Sequence, residues 1–148
     1  MLSDVEVVIS KSMAKILLGK SSVLTQRGLI AADYACHVFT PLALEARGRI
    51  DKARRLREAA RITNRDTALQ AQGVVLAVGC QKPAEVAHMA YVAANITSGK
   101  NEEDGTSYAR AAIETCLDVA RAAMSAHVGE SVVLSELEKM FSSMLSRQ

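Results

Sequence analysis

From Ser3 onward, apolar residues recur three and four positions apart in one segment after another, and nowhere do they alternate with polar ones between turn pairs. Residues at that spacing share one face of a helix, whereas a sheet needs period two, so the chain is confined to helices. Composition narrows the choice further, because 24 of the 148 residues are Ala, aromatics make up 3% and Trp is absent. A core of this kind has to be built from closely packed Ala, Leu, Val, Ile and Met, a set that favours helix over strand. Hydrophobic residues at 49% and charged residues at 23% match a folded protein rather than a disordered one. The length suits one domain over residues 1–148, and no run of 18 apolar residues is present to span a membrane.

Caps and breakers divide the chain into six or seven helices. Ser3 and Glu6 form an S-x-x-E capping box, after which Val5, Val8, Ile9, Met13, Ile16 and Leu17 line one face up to Gly19. A second helix is expected from about Thr25, with Leu29, Ala32, Cys36, Val38 and Phe39 inside, a kink or break forced by Pro41 around residues 37–40, and an end at Gly48. Asp51 is placed to cap a third helix reaching Ile62, and after Thr63 and Asn64 a fourth carries Ala68, Leu69, Gln72, Val75, Leu76 and Val78 to Gly79. Gly73 within it points to a close helix crossing.

Pro83 in a first helical turn opens a fifth helix bearing Val86, Ala90, Ala93 and Ala94, which fades at Ser98 and Gly99. The stretch from Ser98 to Gly105 reads as a loop, and a cap at Thr106 or Ser107 opens a sixth helix running to Gly129 with Ile113, Cys116, Leu117, Ala120, Ala123 and Met124 inward. The last helix, from about Ser131, buries Val133, Leu134, Leu137, Met140, Phe141, Met144 and Leu145 and is expected to cap the core; its Ser-bearing seam leaves a homo-oligomer contact open. Helices of this length joined by short links predict an all-α, compact orthogonal bundle rather than a four-helix up-and-down one.

Residues 47–65 hold eight basic side chains (Arg47, Arg49, Lys52, Arg54, Arg55, Arg57, Arg61 and Arg65) against Asp51 and Glu58, a net charge of +6. Arginine forks suit carboxylate or phosphate, so this segment is the candidate partner surface, with Arg47, Arg49, Arg54, Arg55, Arg57 and Arg61 as its contacts. Nucleic acid is the weaker alternative, because no aromatics interleave to stack on bases, residues 66–148 carry a net −4, and the whole chain is only +2. Glu85 and His88 have the E-x-x-H spacing of di-iron bundles, but the motif does not recur and the pair is expected on a helix surface. Cys36 and His37 are adjacent on a helix and point about 100° apart, which disfavours a nucleophile and base pair. Phosphate loops, dinucleotide fingerprints, the G-x-S-x-G elbow and zinc spacings are missing, so neither catalysis nor a cofactor or metal is expected.

Residues 29–62, LIAADYACHVFTPLALEARGRIDKARRLREAARI, and residues 119–131, VARAAMSAHVGES, resemble the Ala-rich helix, following Arg-rich helix and late A-H-V helix of bacterial immunity proteins encoded beside polymorphic toxins. The resemblance implies a small cytoplasmic inhibitor that binds and blocks a toxin domain without turnover. A nuclease inhibitor ordinarily presents acidic charge, so the basic cluster leaves the toxin's activity open. The opening MLSDVEVVIS carries acids where a secretory signal carries basic residues, in keeping with a cytoplasmic location. Three cysteines without C-x-x-C spacing, each among apolar neighbours, are then expected as reduced, mostly buried thiols. Alkylation of the unfolded protein should modify Cys36, Cys80 and Cys116 alike in a mass measurement; an intramolecular bridge would contradict this.

Overall fold

Ser3 caps the first helix as its spacing requires, accepting from the Glu6 N–H at 3.3 Å. The other half of the capping box is replaced: the Glu6 carboxylate reaches across to Arg121, whose Nε and second guanidinium nitrogen donate at 2.6 and 3.1 Å and hold its carboxyl below the usual range. In the computed structural model, which describes residues 3–96 and 102–146, the chain runs α1 (Asp4–Ile16), α2 (Ser21–Tyr34), a π turn (Ala35–Phe39), α3 (Thr40–Ala46), α4 (Ile50–Glu58), α5 (Arg65–Ala77), α6 (Gln81–Ile96), α7 (Glu102–Ser125) and α8 (Glu130–Ser146). Since α2, the π turn and α3 are continuous, the described residues form a compact bundle of seven helices without strands. The most extensive packing is of α6 on α7 and α5, and of α2 on α7 and α6. No helix among the described residues is long and apolar enough to cross a membrane.

Pro41 neither breaks nor ends the second helix. Lacking an N–H, it cannot continue the regular ladder, and one wide turn absorbs the mismatch. The Thr40 N–H bonds to the Ala35 carbonyl five residues back, and the Thr40 hydroxyl donates to the same oxygen at 2.6 Å. The extra residue rotates the apolar stripe, so Cys36, His37 and Phe39 are all buried while Val38 stays half-exposed. That helix also starts at Ser21 rather than Thr25, four residues before the expected start, without a side-chain cap.

Within that helix Arg27 is only 3% exposed. Its guanidinium donates to the carbonyls of Ile16 at 3.0 Å, Leu18 at 2.8 Å and Lys15 at 3.4 Å, and through Nε to Met144 at 3.2 Å. Arg110 on α7 adds a bond to the Leu17 carbonyl at 3.2 Å. The carbonyls left unpaired at the end of α1 are thereby capped from two other helices, and α8 is tied in by its own last turn.

Several expected boundaries shift for identifiable reasons. The third helix stops at Glu58, not Ile62, because the following residues run extended to bring Ile62 into the core and its N–H to the Asp33 carboxylate at 2.8 Å. Asp51 lies in the first turn of α4, whose N-cap is Arg49. Asn64 caps α5 through a reciprocal box with Thr67. Glu103, Asp104 and Gly105, expected in a loop, are helical, since acidic side chains in a first turn complement the helix dipole; the expected fade at Ser98 and Gly99 lies outside the described residues. The sixth predicted helix ends at Ser125, and His127, not Gly129, takes the left-handed position at φ 70°. Leu69 and Leu76, expected inside, are 48% and 51% exposed.

Gly73 marks no crossing: it is exposed, and an added Cβ would meet nothing within 4 Å. The close approach is at Gly28, where a Cβ would lie 3.4 Å from Ala109 Cα on α7. The expected role of the C-terminal helix in capping the core holds, with Val133, Leu137, Met140, Phe141 and Met144 all buried.

Two substitutions test this account by chemical denaturation. Gly73→Ala should stabilise the protein by about 0.5–1 kcal/mol, because the helix gains a rigid residue without a clash. Arg27→Met should cost about 2–4 kcal/mol, since several buried carbonyls lose their donor, and Arg27→Lys should recover little without the fork.

Candidate interaction surface

Two helix ends of the same type build the site. At the end of α3, Gly48 adopts φ 76° while the Arg49 N–H bonds to the Leu44 carbonyl at 2.8 Å and the Gly48 N–H to the Glu45 carbonyl at 3.0 Å. This double closure needs a left-handed residue, which glycine supplies without strain. It reverses the chain and leaves Arg47 and Arg49 on either side of the turn, both exposed. At the end of α5, Gly79 does the same at φ 84°, with the Cys80 N–H on the Val75 carbonyl at 2.9 Å, and delivers Cys80, Gln81 and Lys82 to the start of α6.

Helix α4 buries only Ala53 and Leu56. At 100° per residue, Arg54 and Arg57 then fall on one flank and Lys52 and Arg55 on the other. The two flanks differ in their pairing. Arg54 meets Asp51 at 3.6 Å, and Arg57 donates through Nε to Glu45 at 2.7 Å. Arg65 bonds to Asn95 at 3.1 Å. Arg61, expected among the partner contacts, grips the buried Asp33 carboxylate, its Nε lying 2.9 Å from both oxygens while a second guanidinium nitrogen reaches Oδ2. That pair fixes the extended link after α4, and hydrogen bonding to Asp33 keeps the Arg61 guanidinium firmly charged. Arg47, Arg49, Lys52 and Arg55 have no ion-pair partner among the described residues.

One of these unpaired cations, Arg47, lines a cleft of about 240 Å³ between the end of α3, the α5–α6 link and α7. Ala43, Leu44, Pro83 and Val119 supply apolar lining, Arg47 and Lys82 charged lining, and Cys80 opens into it. Burial pushes the Cys80 thiol up, while the positive charges of Lys52, Arg47 and Arg49 pull in the opposite direction. Cys80 and Lys82 could not be joined to the basic segment from the sequence, since some thirty residues separate them from Lys52. Arg27 and Asp33 did leave a trace: each is an ionic residue on an apolar helical stripe, Arg27 between Leu24 and Ala31, Asp33 four after Leu29.

The remaining sequence candidates disperse. Cys36 donates its thiol hydrogen to the Pro83 carbonyl at 3.4 Å, and His37 donates through Nδ1 to the Leu56 carbonyl at 2.8 Å, so the neighbours serve different backbones. Glu85 and His88 are exposed along a shallow groove of about 460 Å³, where His88 lies 3.3 Å from Gln72 Oε1. Among the described residues no group of three or more His, Cys, Asp or Glu side chains is arranged to hold a metal.

Burial raises the thiols of Cys36 and Cys116 far above the ordinary range, and both are fully enclosed. Iodoacetamide applied to the native protein should therefore modify Cys80 alone, slowly at neutral pH and faster as pH rises, with Cys36 and Cys116 reacting only after unfolding. Equal native reactivity of all three would contradict the packing described.

Compared with known protein families, curated proteins and solved structures, the chain matches none.

Proposed function

We propose that this protein is a non-enzymatic binding module that docks an acidic surface of a partner protein on Arg47, Arg49, Lys52 and Arg55. The observation that carries the reading is the contrast along one short segment: four of its cations are matched by carboxylates or amides, and four, two at the α3–α4 turn and two on one flank of α4, have no ion-pair partner among the described residues. Exposed like charges at helical spacing cost tenths of a kcal/mol per close pair, and folding does not require them. Incoming carboxylates remove that repulsion, with forked Arg pairs at the centre contributing most and rim pairs speeding encounter.

The biological role we propose is immunity-type neutralisation of a partner toxin in the cytoplasm. Its support is the resemblance of residues 29–62 and 119–131 to helices of that class, and the first of these stretches contains the unpaired cations. A nucleic-acid backbone is the competing ligand for the same charges. The cleft beside them favours protein, because no aromatic side chain lines it to stack on a base.

Co-expression with the product of the neighbouring reading frame tests this reading. Arg47→Glu, Lys52→Glu and Arg55→Glu together should keep the helical circular dichroism of the parent and weaken protection or affinity at least tenfold, about 1.4 kcal/mol or more. Arg54→Glu with Arg57→Glu should have a smaller effect. Unchanged protection by the triple variant would move the interface to the acidic C-terminal half. Tight binding of a defined DNA or RNA at physiological salt would instead favour nucleic acid, since a non-specific backbone contact is weak and suppressed by salt.

A further inference from the structure

We infer that the cleft between α3, the α5–α6 link and α7 receives one large apolar side chain of the partner, held in place by acidic neighbours that pair with the cations at its rim. This rests on the proposed docking of an acidic partner and specifies what enters the surface. The first argument is size: about 240 Å³ lies below the roughly 300–1,000 Å³ of small-molecule clefts and admits a single Leu, Met or Phe side chain. The second is lining, since Ala43, Leu44, Pro83 and Val119 offer an apolar floor, with the charged groups Arg47 and Lys82 beside it. The third is the rim. Arg47 and Lys82 lie on the cleft itself, and Arg49 and Lys52 are close enough to act on the Cys80 thiol within it.

An apolar anchor seated in a pocket and ringed by charged contacts is the arrangement that concentrates binding energy in protein interfaces. Charge complementarity selects the anchor's neighbours: Asp or Glu within two or three positions can reach the rim while the anchor is seated. The cleft also carries its own reporter, because Cys80 lines it and is the least buried of the three thiols.

The test uses a library of random 12-residue peptides displayed on phage and selected on the native full-length protein. Enriched peptides should carry one Leu, Met or Phe flanked by Asp or Glu, and synthetic copies should slow iodoacetamide modification of Cys80 at least tenfold at saturation. Replacing the anchor by Ala should weaken binding at least tenfold. Ala122→Trp and, independently, Gln81→Trp fill the cleft from exposed rim positions that the core does not use, and each should do the same while leaving the circular dichroism unchanged. Acidic peptides that bind without an apolar anchor, leave Cys80 equally reactive or bind the Trp variants as tightly as the parent would overturn the cleft and leave the basic surface standing, provided the Arg47, Lys52 and Arg55 reversal still abolishes binding. Binding indifferent to that reversal, or a selection enriching no acidic sequence, would overturn both.

Discussion

The fold depends on a buried cation that has no carboxylate partner among the described residues. Arg27 sits inside the bundle and gives its donors to four backbone carbonyls, three at the end of α1 and one in the last turn of α8. Enclosing a guanidinium in protein is costly, and burial alone pulls its pKa down. The compensation comes from where the carbonyls lie: the C-terminal ends of two helices carry the negative ends of their dipoles, so Arg27 meets partial negative charge from both. One side chain thus sets the position of α1 and α8 on α2, while Arg110 and Arg121 bind α1 to α7 at its two ends. An amphipathic α1 alone has no equivalent constraint on where its last turn stops.

The second internal ionic contact separates scaffold from surface. Asp33 holds both the Arg61 fork and the Ile62 N–H, which anchors the extended link after α4 and presses Ala53 and Leu56 inward. With that link fixed, Ala53 and Leu56 of α4 face the core, and Lys52 and Arg55 lie on the opposite flank from Arg54 and Arg57. Arg61 therefore belongs to the architecture, although it lies in the same basic run as the proposed contacts. The distinction is one of partners rather than residue type, since Arg55 and Arg61 are chemically the same group with different neighbours.

The π turn connects these two regions. By absorbing Pro41, it keeps α2 and α3 continuous, brings the Cys36 thiol to the Pro83 carbonyl and carries the chain on to the Gly48 reversal. A broken helix would part the end of α3 from the start of α6, and with it Arg47 from Lys82 and Cys80. The cleft beside the cations is a consequence of continuity through a residue that ordinarily interrupts helices.

Local chemistry along the chain was sufficient for helix identity: the apolar period, the Ser3 cap and the glycine stops at Gly48 and Gly79 each act over a few residues, and the helices they predict are present. The basic segment was equally legible, because charge density is a property of sequence. A boundary failed where a distant group took over, at Glu58, beyond which Asp33 draws the chain out of helix. Gly73 and Gly28 look alike in sequence, yet only Gly28 lies against another backbone, since a crossing needs a second helix to be there. Pairing of the arginines, and the meeting of Arg47 with Cys80 and Lys82, were likewise decided by packing. Charge and helical period are carried by neighbouring residues, whereas counter-charges and clefts are made by residues that only the folded chain brings within reach.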